Sequence, residues 1–242
     1  TLDGATPMKT DAGVVFHHRV ICYKFEPGVH LLQTVHYRFT VLDRRGIDAV
    51  SSFQFEFDPE SERMFVNKLE VRDEQGQVVF TGGLPNYFIS SDNSTELASQ
   101  SVNLHVPVSA LAPGRTVELV VTRREAISGD QLPFRRTFLS AGYATERAAV
   151  VVEAPTDQFR YQVFNDPRVV TLPGATAFLA DHRPDWPSEP MQAPAAKFLP
   201  MVVFGGSKSD WASLGHEYLK IIADRLAIPD SVRTLAKSLA GD

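Results

Sequence analysis

The sequence predicts an all-β protein, an antiparallel β-sandwich with a short C-terminal helical tail. Three observations predict this fold class. Apolar and polar residues alternate in segment after segment up to about residue 180, as in strands that bury one face. These segments are short and succeed one another at roughly 8 to 15 residues, with Gly, Pro and Asp between them, as in antiparallel sandwiches. Helical spacing replaces the alternation only from Ser207 onward.

The individual strands are predicted from this alternation. Phe53, Phe55 and Phe57 of SSFQFEFDPE share one face, while polar residues share the other. SVNLHVPVSA repeats the pattern, and its Pro107 is expected to face outward at an edge, because proline cannot donate a ladder hydrogen bond. Its inward residues are Val102, Leu104, Val106 and Val108. The other predicted strands are GVVFHHRVICYKF, QTVHYRFTVL, RMFVNKLEVRD, GQVVF, TVELVVTRR, AAVVVEAP and FRYQVF.

The chain divides into three parts. Residues 1–180 are predicted to form the β-sandwich domain. Residues 181–206 form a Pro-rich connector, because DHRPDWPSEPMQAPAAKFLP holds five of the 16 prolines and neither a sheet nor a helix runs through such a segment. Its end, FLPMVVF, is expected to add one edge strand before a hinge at Gly205 and Gly206. Residues 207–242 are predicted to be the helical tail.

The helical tail begins at SDWASLGHEYLKIIADRL. Ser209 is the expected N-cap, and Pro229 ends the first helix. A second amphipathic segment, DSVRTLAKSLAGD, comes next. Two short helices cannot form a core of their own, so the first helix is expected to bury its apolar stripe against the sandwich, a second copy of the chain or a further domain. The stripe residues predicted to make this interdomain contact are Trp211, Leu214, Tyr218 and Ile222.

Composition excludes several classes of protein. The formal net charge is −5, and the basic residues are scattered rather than clustered as in nucleic-acid-binding surfaces. No apolar run approaches the roughly 18 residues of a membrane span. The single cysteine, Cys22, excludes an internal disulfide and a cysteine-rich metal site. The sequence therefore predicts no nucleic-acid partner and no membrane span.

The segments VLDRRG, FQFEFDPESERMFVNKLEVRDEQGQVV, LAPGRTVELVVTRRE, EPMQAP and FLPMVVFGGSKSDWASLGHEYL occur in this order. This arrangement resembles the N-terminal domain of unknown function of bacterial transglutaminase-like proteins, and the resemblance covers most of the chain. It implies a non-catalytic accessory domain that packs against, and orients, a downstream papain-like thiol catalytic core. The catalytic Cys, His and Asp of such proteins lie in that core. The resemblance also implies an exported, periplasmic location.

The residues that bear reactive groups do not form a catalytic pattern. Cys22 lies in RVICYKF without the adjacent cation or helix N-terminus that activates a thiol. His17 and His18 are adjacent and are expected to face opposite sides of a strand, although His36 or His105 could lie near one of them. The segment FGGSKS lacks nucleotide-binding spacing. The sequence thus predicts no catalytic residue, cofactor or metal ion, and a thiol or metal enzyme is the weakest alternative.

A free-standing carbohydrate- or ligand-binding sandwich is the alternative function. Exposed aromatic rings in loops can stack on sugars. The candidates are Tyr87, Phe88, Tyr143, Tyr161 and Trp186. The 16 phenylalanines at mostly inward positions favour a structural core instead. Self-association through the C-terminal helix is a further expected partner interaction.

Overall fold

The computed structural model describes residues 10–91, 101–127, 129–140, 142–154, 159–186, 191–207, 211–226 and 230–240. Up to residue 206 its secondary-structure elements are almost all strands. The first ten are β1 (Val14–Glu26), β2 (His30–Val41), β3 (Ser52–Phe57), β4 (Glu62–Arg72), β5 (Val78–Thr81), β6 (Phe88–Ser91), β7 (Val102–Pro107), β8 (Thr116–Ala126), β9 (Arg135–Phe138) and β10 (Ala144–Glu153). The remaining strands are β11 (Phe159–Phe164), β12 (Arg168–Leu172), β13 (Ala175–Arg183) and β14 (Met201–Gly206). The helices are α1 (Arg44–Val50), α2 (Trp211–Leu226) and α3 (Asp230–Ala240), with 3-10 turns at Leu84–Asn86 and Ala195–Lys197.

One large sheet forms the base of the fold. Its eight strands have the order β12-β13-β10-β1-β2-β8-β4-β5. Every pairing in it is antiparallel except that of β1 with β10, which is parallel. The prediction of a mainly β fold with antiparallel sheets is therefore confirmed. The parallel pair joins segments far apart in the chain, since parallel strands cannot be connected by a tight turn.

Two three-stranded sheets pack over one face of the large sheet. The first has the order β3-β7-β6 and the second β11-β14-β9. In the first sheet the ring of Phe53 lies 5.8 Å from that of Phe39 on β2. In the second, the ring of Phe204 lies 4.9 Å from that of Tyr23 on β1. One hydrophobic core therefore lies between the large sheet and both small ones.

Most predicted strands are present with the expected inward faces. Phe57, Leu104 and Val106 are buried, as the alternation of their segments predicts. Pro107 ends β7, which is the central strand of its sheet rather than an edge. The proline is accommodated because pairing with β6 reaches only from Val102 to His105, so no partner on that side needs its N–H.

Strand β14 corrects the prediction for the connector. The edge strand expected from FLPMVVF is instead the centre of its sheet, paired with β11 on one side and β9 on the other. The hinge expected at Gly205 and Gly206 is wrong, because both residues belong to β14. A Cβ on Gly206 would stand 2.7 Å from the side chain of Gln131 and 3.3 Å from the backbone nitrogen of Leu132, so close packing explains this glycine.

Several elements were not predicted from the sequence. They are β6, β9, β12, β13 and α1. The hairpin of β12 and β13 turns at Gly174, whose φ of 74° lies in the left-handed region that favours glycine. Helix α1 begins at the N-cap Asp43, whose carboxylate accepts a hydrogen bond of 3.0 Å from the backbone of Gly46. The hairpin-turn signal LPG and the helix-start signal DRRG are both present in the sequence, but the segments that flank them are short.

Helices α2 and α3 belong to a separate compact unit, Ser207–Asp242, whereas Thr1–Gly206 form the β unit. Helix α2 begins at Trp211, immediately after the segment in which a helix start was predicted. The predicted N-cap, Ser209, lies outside the described residues. Within the described part of the chain, no helix combines the length and apolar character needed to cross a membrane.

Candidate functional site

The face of the large sheet opposite the core carries a line of interacting polar side chains. Four adjacent strands, β1, β2, β8 and β4, contribute to it. Its members alternate along their strands with core residues, so they face away from the core. We call this line the polar row, and it consists of His18, His36, Glu118, Lys68 and Glu70.

Contacts within the polar row are short. The Nε2 atoms of His18 and His36 are 3.3 Å apart, and His36 Nε2 lies 2.9 Å from Glu118 Oε1. Lys68 Nζ donates to Glu118 Oε2 at 2.8 Å and lies 3.3 Å from Glu70. Because an ionised carboxylate only accepts, His36 Nε2 carries the proton of its hydrogen bond to Glu118. His36 Nε2 then cannot accept from His18, so the facing His18 Nε2 carries no proton. His18 therefore contacts His36, and the Glu118 carboxylate accepts from His36 on one side and from Lys68 on the other.

The protonation behaviour of the row agrees with this geometry. The pKa of His18 is lowered from 6.5 to about 4, chiefly by burial and to a smaller extent by the charges of His36 and Arg38. Burial alone would raise the pKa of Glu118, but hydrogen bonds from Lys68 and His36 bring it below its ordinary value. The hydrogen bond to Glu118 raises the pKa of Lys68. At neutral pH the row is a cross-strand network that ties four strands together.

We expect His18 to make stability depend on pH. The pKa of His18 is lower in the folded protein than in the unfolded chain, so the unfolded chain takes up a proton first as the pH falls. The free energy of unfolding should therefore decrease between about pH 6.5 and pH 4. The loss attributable to His18 should be about 1–2 kcal/mol, since solvent screening reduces the full value of the shift.

The measurement is urea unfolding across this pH range for the wild type and His18→Gln. The variant should show a flatter profile. The matched control is His216→Gln, which changes an exposed histidine of α2 and should leave the wild-type slope intact. A His18→Gln profile that parallels the wild type would show that His18 does not titrate as described.

The other histidines have different partners. His17 Nδ1 lies 3.1 Å from Glu146 Oε2, and its Nε2 lies 2.7 Å from the hydroxyl of Thr40. A register shift between Phe16 and His18 falls at His17, and the described contacts of the two adjacent histidines are with different side chains. Of the histidines expected to approach them, His36 joins His18. Among the described residues, no group of three or more His, Cys, Asp or Glu is arranged to hold a metal ion.

Two further candidate residues lie away from the polar row. His105 stacks on Phe88 and lies 2.7 Å from the hydroxyl of Ser90. Cys22 is partly buried on β1, and burial, together with the smaller effect of the Glu153 charge, raises the pKa of its thiol. A raised pKa disfavours the reactive thiolate. The neighbourhood of Cys22 is therefore unlike that of an activated nucleophile.

The aromatic residues considered as a sugar platform have separate environments. Tyr87 and Tyr143 pack against the core. The ring of Trp186 stacks on Phe198 at 5.0 Å, and Tyr161 contacts Phe178 edge to face at 5.0 Å. Phe88 stacks on His105 instead. These five rings thus use different partners and do not form one stacking surface.

The residues predicted for the interdomain contact all lie on α2. The side chain of Tyr218 is 62% exposed, and that of Ile222 is half-buried. The side chains of Trp211 and Leu214 lie outside the described residues. Leu219, next to the predicted stripe, is also exposed.

The fold defines a mainly β domain in which two small sheets cover one face of a large one. A family model, described as a domain of unknown function with a solved structure and named DUF3857, matches residues 31–181. The chain belongs to this family. The comparison with curated proteins gave no match.

Two solved structures are similar to this fold. One is a putative protease from Parabacteroides distasonis, with a TM-score of 0.72 and 12% identity over 81% of this chain. The chain spans 41% of the length of that protein. An M1 zinc metallopeptidase from Deinococcus radiodurans gives a TM-score of 0.36 and 14% identity, with 80% of this chain and 43% of that chain covered. At 12% identity the first similarity shows the fold alone, and at a TM-score of 0.36 the second does not establish a shared fold.

Proposed function

We propose that this chain is a non-catalytic accessory domain that packs against a transglutaminase-like, papain-like thiol catalytic domain of the same protein. The exposed apolar side chains of the helical unit are the observation that carries the proposal. Tyr218 and Leu219 of α2 are 62% and 58% exposed, and Val232 of α3 is 51% exposed. Large apolar side chains gathered on short helices are typical of surfaces that bind another protein element.

Two further observations support the proposal. The order of motifs that ends in SDWASLGHEYL resembles the segment leading into the transglutaminase-like core. The fold also occurs in the Parabacteroides protein as part of a longer chain. An accessory role fits a fold in which His18 and His36 contact side chains of neighbouring strands and burial raises the pKa of the Cys22 thiol. An exported, periplasmic location belongs to the same proposal.

The coding region downstream of Asp242 offers a direct test of the proposed catalytic partner. We expect it to encode a cysteine at a helix start and, further on, a histidine and an aspartate, as papain-like chemistry requires. Sequencing of this region is the measurement. A stop codon, or a downstream region without these residues, would remove the proposed catalytic partner.

In the longer protein we expect Trp211→Ala to lower the free energy of unfolding by roughly 3–5 kcal/mol, the usual cost of emptying a buried tryptophan site. The matched control is Lys220→Ala, because Lys220 is exposed and lies on the helix side opposite the predicted stripe. Chemical unfolding of both variants is the measurement. Equal stabilities of the two variants would contradict an interdomain role for the stripe.

The exposed side chains of α2 could instead bind α2 of a second copy of the chain. Sedimentation of residues 1–242 over a range of concentrations tests it. A dimer that Tyr218→Ser abolishes would identify a second copy of the chain as the partner of this helix.

A further inference from the structure

Two arginines stand directly opposite each other on neighbouring strands of the large sheet. Arg63 of β4 and Arg124 of β8 are cross-strand partners, and both are exposed. Like charges in this position destabilise a sheet. Within the described residues, neither arginine forms a salt bridge with a carboxylate.

The nearby carboxylates are engaged by other arginines. Glu62 lies 3.5 Å from Arg123, and Glu125 accepts a hydrogen bond from Arg135. Neither Glu62 nor Glu125 therefore serves as a counter-ion for the Arg63–Arg124 pair. The described carboxylates near the pair are Glu60, which lines a pocket beside it, and Asp58, whose pKa is lowered chiefly by a hydrogen bond from the Glu60 backbone and in small part by the charge of Arg63. Such an arrangement favours an anion from outside the fold.

A pocket of about 330 Å³ opens at this pair. Its polar wall is completed by His30, Ser61 and Glu60, and Val29 supplies an apolar side. The pocket thus presents two guanidinium groups against the single carboxylate of Glu60, while the imidazole of His30 already lies 3.3 Å from Glu26. Its electrostatic balance favours a negatively charged group.

The two guanidinium groups are held in place while keeping donors free. Arg63 Nη1 donates to the backbone oxygens of Pro59 and Glu62, and in the described part of the chain its Nη2 and Nε make no further hydrogen bond. The guanidinium carbon of Arg124 lies 5.8 Å from the ring centroid of Phe65, a cation–π contact that holds this side chain beside the pocket. Both arginines can therefore present N–H groups to the same ligand.

We propose that this pocket binds an oxyanion, either a phosphate or a carboxylate, between Arg63 and Arg124. Planar guanidinium groups bind both anions through paired N–H donors. The anion would relieve the repulsion of the cross-strand pair and connect β4 to β8 at the end of the large sheet. The proposal does not depend on the helical unit or on the proposed catalytic partner.

The test is isothermal titration of residues 1–242 at low salt with two probes, inorganic phosphate and a tetraglutamate peptide. We expect at least one probe to bind, and Arg124→Gln or Arg63→Gln to weaken its affinity tenfold or more. The matched control is Arg147→Gln, an exposed arginine on β10, separated from β8 by β1 and β2. This control should bind like the wild type.

The two probes distinguish the sources of the anion. Binding of phosphate alone indicates a free phosphate group, and binding of the peptide indicates an acidic protein segment. Thermal unfolding provides a check on folding, because Arg124→Gln alone should keep or raise the midpoint, whereas the bound probe should raise it only in the wild type. Absence of binding by both probes, or equal binding to the wild type and the arginine variants, would overturn the proposal.

Discussion

Phe39→Ala should lower the free energy of unfolding by about 3–5 kcal/mol, because the substitution leaves a cavity at the centre of the core. Phe39 is fully buried on β2. Its ring centroid lies 5.0 Å from that of Phe16 on β1 and 5.8 Å from that of Phe53 on β3. The substitution therefore removes contacts within the large sheet and between it and the first small sheet.

Urea unfolding monitored by fluorescence and circular dichroism is the measurement. Phe134→Ala is the matched control, since Phe134 is 68% exposed and should lose less than about 1 kcal/mol. A loss of about 1 kcal/mol or less in Phe39→Ala would mean that the core collapses around the site or that the small sheet does not depend on it.

The burial of Phe39 could be predicted from the sequence because it needs only local information. In QTVHYRFTVL, alternate positions are apolar, and Val35, Phe39 and Val41 are all buried. A period of two determines which side chains share a face, so strands of this kind are found without knowledge of their partners. The same reasoning explains the correct inward faces of β3 and β7.

The partners of the strands could not be predicted in this way. His36 and Glu118 of the polar row are 82 residues apart and meet only because β2 pairs with β8. Arg63 and Arg124 likewise become neighbours through the pairing of β4 with β8. Each polar residue occupies an ordinary outward position in its own segment. Both sites therefore arise from long-range pairing, which alternation leaves undetermined.

The short elements illustrate a second limit. Strands β6 and β9 contain four residues each, too few to establish a period. Their positions are determined by neighbours, β7 for the first and β14 for the second. Proline imposed a further limit on the prediction for residues 181–206. The prolines do interrupt regular structure, but the six residues after Pro200 are free of proline and form a central strand.

A chain that ends at Gly206 should unfold cooperatively, whereas one that ends at Pro200 should not be stably folded at 25 °C. The six residues between these two ends form β14, which pairs with β11 and with β9. Three of its side chains, Met201, Val202 and Phe204, are buried in the core. Burial of side chains of this size contributes about 1.5–3 kcal/mol each, and a whole domain is stable by only about 5–15 kcal/mol.

Circular dichroism and urea unfolding of chains ending at residues 180, 200 and 206 are the measurements, with residues 1–242 as the reference. The chain ending at 206 should match the reference within about 1 kcal/mol if the β unit is independent of the helices. Cooperative folding of the chain ending at 180 would instead restore the connector predicted for residues 181–206. Failure of the chain ending at 206 would have a different meaning, because the helical unit would then be required by the sandwich and could not serve mainly as a contact for another domain.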